Sequence, residues 1–184
     1  MSLGTSLKDV SKILNRLKRK GVIDGYALIG GFAVSVWGIP RGTKDIDFLV
    51  SVKSIHELQT FSIALEEAGI KPSLYTGGPS DPVPYLLKAY HKDVPLDMLI
   101  TTKKWEDEAV AHAVMVDFQG TKIQVIPVEY LILMKLKAGG PKDLLDVEEL
   151  LKIGNVNIEL LESLAKRLRL NKRLEKIRKK KQSF

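Results

Sequence analysis

Two aspartates separated by one residue are the strongest chemical signal in the sequence. Asp45 and Asp47 lie in an otherwise apolar run that continues to Val50, and the period of two along a strand turns both carboxylates to one face. Two like charges placed together repel, unless one is protonated or a divalent cation neutralises them. All-oxygen ligation suits Mg²⁺ or Mn²⁺ better than Zn²⁺. The pair therefore favours metal-assisted phosphate chemistry.

A pair of glycines, Gly30 and Gly31, lies upstream, between an apolar strand that begins at Tyr26 and a short amphipathic segment. Glycine lets the backbone approach a phosphate chain closely, and the amides that open the following helix offer donors to an anion. We therefore expect both glycines to contact a triphosphate. The alternative interpretation is a tight strand-to-helix turn, with Asp45 and Asp47 capping a strand at the surface.

Two cations, Arg41 and Lys44, lie just before the paired aspartates. Either could contact phosphate oxygens, and the Arg41 guanidinium could do so with two donors at once. Solvated loop cations are the alternative.

The order of these parts is more specific than any one of them. Ile29-Gly30-Gly31, then thirteen residues, then Asp45-Ile46-Asp47 resembles the signature of the nucleotidyltransferase superfamily, the DNA polymerase beta-like fold. The chain looks most similar to minimal nucleotidyltransferases of bacteria and archaea and to AbiEii-type toxin nucleotidyltransferases. The resemblance implies an α/β (α+β) fold, a mixed sheet flanked by helices. It also implies transfer of a nucleoside monophosphate from an NTP to a hydroxyl, with Mg²⁺ or Mn²⁺ as cofactor and pyrophosphate as the leaving group.

The resemblance further implies a third carboxylate on a neighbouring strand. Asp97 is the only charged residue in Val94–Ile100, a run typical of a buried strand. By resemblance Asp97 completes the metal site and acts as general base on the incoming hydroxyl. The alternative is an aspartate that caps a helix beginning near Thr101, and Asp93 is the second choice for the third carboxylate.

A second stretch is similar to the region that follows the catalytic strands in the AbiEii-type proteins. There a helical Lys precedes a Lys/Arg-Asp-x-x-Asp element, which here correspond to Lys135 and to Lys142-Asp143-Leu144-Leu145-Asp146. The resemblance implies that Lys135 contacts nucleotide phosphate. For Asp143 and Asp146 a place at a helix N-terminus, where acids favour the helix dipole, is preferred to a catalytic role.

The periodicity of the remaining sequence predicts how these residues are positioned. It indicates an N-terminal helix over 6–20 and a hairpin over 114–126 that turns at Gln119-Gly120. A loop rich in Gly and Pro over 76–84 is predicted to be a mobile lid. We expect a catalytic core over 1–127 and a C-terminal helical region with a basic tail over 128–184.

Composition narrows the function classes. With 184 residues and 45% hydrophobic content the chain can bury one core, and the lack of cysteine excludes disulfides and thiolate zinc sites. The three histidines show no ligand spacing. Neither a signal peptide nor an apolar run of membrane-spanning length is found, so we expect a cytoplasmic protein with no membrane partner.

The net charge of +7 is concentrated at the C-terminus. Residues 166–184 contain ten Lys or Arg and one Glu, a net +9, whereas the rest of the chain carries −2. The spacing of leucines from Leu161 to Leu174 and on to Ile177 predicts one amphipathic basic helix. Such a helix suits an RNA acceptor, because phosphate contacts supply affinity. A solvated helix with a disordered basic end is an equally good interpretation.

Three function classes therefore remain. The first is an enzyme that modifies a hydroxyl of RNA, a protein or a small molecule. The second is a toxin–antitoxin component that acts on tRNA or on a partner protein. The third is a nucleotide-binding protein of the same fold without turnover, which the intact Asp45, Asp47 and Asp97 argue against.

Overall fold

The structure is a computed structural model that describes residues 2–78, 83–153 and 155–180. Within these residues seven strands form one mixed sheet, and helices account for most of the remainder, which confirms the predicted α/β class. The strands are β1 (Gly25–Ile29), β2 (Ile46–Ser51), β3 (Ser73–Thr76), β4 (Tyr85–His91), β5 (Val94–Ile100), β6 (Val114–Phe118) and β7 (Thr121–Val125). The helices are α1 (Leu3–Arg19), α2 (Gly30–Val36), α3 (Glu57–Glu67), α4 (Lys104–Ala111), α5 (Val128–Ala138), α6 (Pro141–Leu150), α7 (Ile158–Arg167) and α8 (Asn171–Lys180).

The chain divides into two compact units. One comprises residues 1–32 and 42–126 and contains the whole sheet, and the other comprises residues 33–41 and 127–184. The assignment of a catalytic core to 1–127 and of a C-terminal helical region to 128–184 stays a prediction.

The sheet has the strand order β3-β4-β5-β2-β1-β7-β6. β2 pairs parallel with β5, and β1 pairs parallel with β7, while the other neighbours are antiparallel. The strands that carry the candidate aspartates, β2 and β5, are therefore adjacent near the middle of the sheet.

The predicted N-terminal helix is present as α1. Ser2 caps it by accepting a hydrogen bond from the Thr5 amide, and its apolar stripe from Leu7 to Leu17 is buried. α1 packs against β1 and β7. The buried Tyr26 hydroxyl on β1 donates to Asn15 Oδ1 at 3.0 Å, and burial raises the pKa of Tyr26 to about 12.

The predicted hairpin over 114–126 is confirmed by β6 and β7. Gln119 and Gly120 both adopt positive φ, 50° and 78°, which is the geometry of a two-residue turn whose twist matches the flanking strands.

The strand predicted around Asp97 is present as β5, and it is buried on one face only. Burial along β5 alternates, with Leu96 and Met98 fully buried and Asp97 on the more open face. One face of β5 is therefore more open than the other, and a carboxylate at Asp97 avoids the cost of full burial.

The prediction of a single amphipathic C-terminal helix is wrong. The predicted apolar positions Leu161, Leu164, Leu174 and Ile177 are buried, but they belong to two helices, α7 and α8. Between them Arg169 adopts φ 58°, a left-handed conformation that ends α7.

Two predicted features fall partly outside the described residues. Positions 79–82 of the proposed lid and positions 181–184 of the basic tail lie there. In the parts of the chain that are described, no helix is both long and apolar enough to cross a membrane.

The burial of Tyr26 generates a prediction about alkaline pH. Because the pKa of Tyr26 is about 12 in the folded protein and about 10 when unfolded, only the unfolded state ionises between these values, so stability should fall as pH rises through this window. Urea unfolding at stepped pH should show a steeper decline in wild type than in Tyr26→Phe, which has no hydroxyl to ionise. Identical pH slopes would contradict the assignment.

Candidate active site

The candidate site of the sheet-containing unit begins where β1 ends. Ile29 lies opposite Asp47 in the antiparallel β1–β2 pair, and Gly30 follows with φ 67°. A Cβ on Gly30 would overlap Asp47 Oδ2 and lie 2.7 Å from Asp47 Cγ. Glycine is therefore required at position 30 for two reasons, the left-handed backbone and the space that the carboxylate occupies. The sequence did not reveal this second reason.

Asp47 and Asp97 occupy matching positions on adjacent parallel strands. They are register partners in the β2–β5 ladder, so both side chains leave the sheet on the same face, about 5 Å apart at the backbone. Each is only partly exposed. The structure thus brings together two of the three predicted carboxylates.

The third aspartate, Asp45, lies one residue before β2 and is exposed. Its Oδ1 accepts a hydrogen bond from Thr43 Oγ1 at 2.6 Å, a contact within the loop that sequence reasoning missed. Thr and Asp side chains in loops often form hydrogen bonds to residues close in sequence. The spacing of Thr43 and Asp45 is the signal from which this hydrogen bond could have been predicted. The neighbouring cation, Lys44, is exposed.

A divalent cation would meet an all-oxygen donor set here, as the sequence predicts. Among the residues that the structure describes, however, no three or more His, Cys, Asp or Glu side chains are grouped closely enough to hold a metal ion. The Asp47–Asp97 pair fits such an ion through its register, while Asp45 accepts a hydrogen bond from Thr43 through Oδ1.

The second unit contains a cluster of four charged side chains. Lys135 Nζ at the end of α5 lies 2.9 Å from Asp143 Oδ1 and 2.9 Å from Asp146 Oδ2, both on α6. Arg41 forms an ion pair with Asp146 Oδ1. Two cations thus face two carboxylates, and the formal charge of the cluster is balanced.

Asp143 and Asp146 have different roles in this cluster. Asp143 lies in the first turn of α6, where its Oδ2 accepts a bond from the Gly140 amide, as the helix N-terminus interpretation predicts. Asp146 lies one turn later, within α6, so the helix N-terminus interpretation is wrong for this residue, which is only 3% exposed. Asp146 Oδ2 forms an ion pair with Lys135, but the angles of this contact are not those of a hydrogen bond. The hydrogen bond to the Asp146 carboxylate is donated by Arg41 and accepted by Oδ1.

The cations predicted to bind phosphate are therefore placed differently from one another. Lys44, beside the aspartates in sequence, is exposed, whereas Arg41 and Lys135 both pair with Asp146. Sequence reasoning missed the Arg41–Asp146 pair because 105 positions separate the two residues.

Comparison with protein families gives one match over almost the entire chain. The model described as Nucleotidyl transferase AbiEii toxin, Type IV TA system matches residues 12–183. No curated protein matches the chain.

Several solved structures share the fold. The crystal structure of ANT(2")-Ia in complex with adenylyl-2"-tobramycin superposes with a TM-score of 0.56 at 17% identity, over 89% of this chain and 98% of that one. A candidate nucleotidyltransferase from Thermotoga maritima gives 0.56 at 16% identity, covering 92% of this chain and 96% of that one. An antigenic nucleotidyltransferase-like protein from Paracoccidioides brasiliensis gives 0.52 at 17% identity, with 94% and 92% covered. The predicted nucleotidyltransferase fold is confirmed.

The contact between Gly30 and Asp47 predicts a specific cost for a single methyl group. Gly30→Ala should destabilise the protein by more than the ~1–2 kcal/mol of a left-handed alanine, because Asp47 must also move. Gly21→Ala is the matched control, since Gly21 has φ 72° and open space around it. Urea unfolding measures both changes. Equal losses in the two variants would contradict the contact with Asp47.

The buried ion cluster predicts a large effect of neutralising one carboxylate. Asp146→Asn should cost about 3 kcal/mol of unfolding free energy, because Arg41 and Lys135 lose their shared partner in a buried setting. Glu149→Gln removes a pair with Lys152 whose side chains are about half exposed, and should cost less than ~1 kcal/mol. Denaturant midpoints of both variants decide the matter, and similar small shifts would show that the cluster contributes little.

Proposed function

Because the chain belongs to the AbiEii nucleotidyl transferase toxin family, we propose that it moves a nucleoside monophosphate from an NTP to a hydroxyl acceptor. Its family membership confirms both the predicted resemblance and the predicted enzyme class, a nucleotidyltransferase. The observation that carries the finer proposal is the register of Asp47 and Asp97, with Gly30 leaving room for the Asp47 carboxylate.

In the proposed reaction the acceptor hydroxyl oxygen forms a bond to the α-phosphorus of the NTP. The bond from that phosphorus to the oxygen that bridges to the β-phosphate breaks, and pyrophosphate leaves. Asp97 is proposed to take the hydroxyl proton, because its carboxylate lies on the open face of β5. No nucleophilic side chain is needed, since positioning and charge stabilisation supply most of the rate.

The proposed cofactor is Mg²⁺ or Mn²⁺, held by Asp45, Asp47 and Asp97. When bound, such an ion neutralises charge on the phosphates and increases the acidity of the attacking hydroxyl. Asp47 and Asp97 would supply oxygens from strand positions, and Asp45 would supply a carboxylate from the residue that precedes Ile46 of β2.

The phosphate-binding residues are proposed in two groups. In the sheet-containing unit Gly30, Gly31 and the exposed Lys44 are the candidates to contact the triphosphate. In the other unit Arg41 and Lys135 are candidates only if they exchange a carboxylate partner for phosphate, since both are paired in the structure. This division supports Lys44 as the first of these cations to test.

The predicted core over 1–127 is proposed to be the catalytic part, because all three aspartates lie in it. The basic C-terminal segment supports an anionic acceptor, since α8 exposes Lys172, Arg173 and Lys176. As a member of a toxin family of toxin–antitoxin systems, the chain is also proposed to have a protein partner that regulates it.

The first functional prediction concerns the paired aspartates. Asp45→Asn and Asp47→Asn should each reduce label transfer from alpha-labelled NTPs by at least about 100-fold, because charge stabilisation of the reacting phosphates is lost. Each NTP is supplied in turn with Mg²⁺ or Mn²⁺ to tRNA, cell protein and small-metabolite fractions. The fraction that takes up label identifies the acceptor class.

Asp93→Asn is the matched control for this experiment. Asp93 is an exposed turn residue between β4 and β5, so the same chemical change there should leave transfer near the wild-type level. Unchanged unfolding midpoints would show that the losses are catalytic. Full transfer by Asp47→Asn would refute the proposed mechanism.

A further inference from the structure

We infer that the open face of β3 and β4 beside Asp97 is the acceptor site, and that it takes the single-stranded end of a nucleic acid. This face, called the platform here, consists of Ser73, Tyr75, Lys88 and Tyr90. The inference rests on the proposed function, since it names the acceptor class for the same aspartates.

The platform is joined to the aspartates by strand register. Asp47 pairs with Asp97, Asp97 pairs with Lys88 on β4, and Lys88 pairs with Ser73 on the edge strand β3. Residues directly opposite on neighbouring strands have side chains on the same face. A row of four polar side chains therefore crosses four strands, and Lys88 stands next to the proposed general base.

Aromatic side chains line the outer part of this face. Tyr75 is 55% exposed and Tyr90 is 65% exposed, whereas Leu87 and Ala89, on the opposite face of β4, are buried. Tyr90 lies two residues beyond Lys88 and so projects to the same side. Two large exposed rings on one sheet face provide stacking surfaces for flat ligands.

The cation of the platform is positioned by one of these rings. Lys88 Nζ lies 5.5 Å from the centroid of the Tyr75 ring, within the range of a cation–π contact. Lys88, the register partner of Asp97, therefore directs its ammonium group towards the Tyr75 ring on the edge strand. A phosphate that reaches this point would meet a cation on its way to the carboxylates.

The combination of charge and rings selects among the acceptor classes. The platform itself carries one cation and no carboxylate, so it offers no ionic partner to a polycationic acceptor such as tobramycin, which ANT(2")-Ia holds in adenylylated form. A single-stranded nucleic acid offers what the platform complements, bases that stack on Tyr75 and Tyr90 and a phosphate that pairs with Lys88. Its terminal hydroxyl would then lie near Asp97, one strand spacing from Lys88, about 5 Å.

The test is direct binding of a short fluorescein-labelled single-stranded oligoribonucleotide, followed by fluorescence anisotropy without NTP. Tyr75→Ala and Lys88→Gln should each weaken binding about tenfold, the effect of losing one stacked base or one phosphate contact. Tyr75→Phe and Lys88→Arg, which keep the ring and the charge, should bind nearly as well as wild type.

Two matched controls separate the platform from general effects. Leu74→Ala truncates an equally exposed neighbour on the other face of β3, and Lys53→Gln removes a lysine beyond the opposite end of β2 from Asp47. Both should retain wild-type affinity. Circular dichroism should show intact folding in every variant, since all of the altered side chains are exposed.

Three outcomes would overturn the inference. These are no measurable binding by wild type, unchanged affinity in Tyr75→Ala and Lys88→Gln, or loss of affinity only in Lys172→Gln/Lys176→Gln, which would assign the nucleic acid to α8. Because this assay needs no turnover, its failure is distinct from that of the proposed reaction. Label transfer that depends on Asp47 but not on Tyr75 or Lys88 would refute the platform alone, whereas platform binding without any transfer would refute only the reaction.

Discussion

The register of β2 against β5 is the constraint on which the rest of the candidate site depends. Asp47 and Asp97 are held side by side by the β2–β5 ladder, although like charges at that spacing oppose one another. The ladder holds because the alternate residues of both strands, including Phe48 and Met98, are fully buried. A slip of one residue would expose these side chains, each worth about 1.5–3 kcal/mol of burial, and would turn the carboxylates into the core.

The apolar pattern of the strands thus places the candidate carboxylates. Burial of Phe48 and Met98 fixes the register, the register places Asp47 beside Asp97, and Gly30 provides the space that the Asp47 carboxylate occupies. The balanced ion cluster of the other unit represents a different solution, because there two carboxylates are neutralised by Arg41 and Lys135. In the sheet-containing unit the register sets two carboxylates side by side, where both would contribute oxygens to one divalent cation, and this supports the proposed metal-assisted transfer.

Local sequence signals predicted the parts of the fold that depend on local physics. Alternating apolar residues and the Gln119-Gly120 turn were sufficient for the hairpin, and the stripe from Leu7 to Leu17 was sufficient for α1. The break at Arg169 was missed because neither Gly nor Pro marks it and the apolar spacing continues across it. Alternating burial of β5 was missed because an apolar run of seven residues suits a fully buried strand equally well.

The candidate site was predictable to a similar extent. The spacing of Asp45 and Asp47 indicated a pair of carboxylates, and the family resemblance indicated Asp97. The neighbours of those residues depend on strand pairing and on contacts distant in sequence, so neither Lys88 beside Asp97 nor Arg41 on Asp146 could be inferred. The Thr43–Asp45 bond is local, and it shows that the third carboxylate has a partner of its own in the structure.

The central claim is that Asp47 and Asp97 together hold a divalent cation with the nucleotide. The most direct measurement is an electron paramagnetic resonance titration of Mn²⁺ in the presence of a non-hydrolysable NTP analogue, on wild type, Asp97→Asn and the exposed-turn variant Asp93→Asn. The account predicts saturable Mn²⁺ binding in wild type and Asp93→Asn, and its loss in Asp97→Asn. Wild-type binding by Asp97→Asn would contradict it, because the register of the two strands would then have no bearing on the metal.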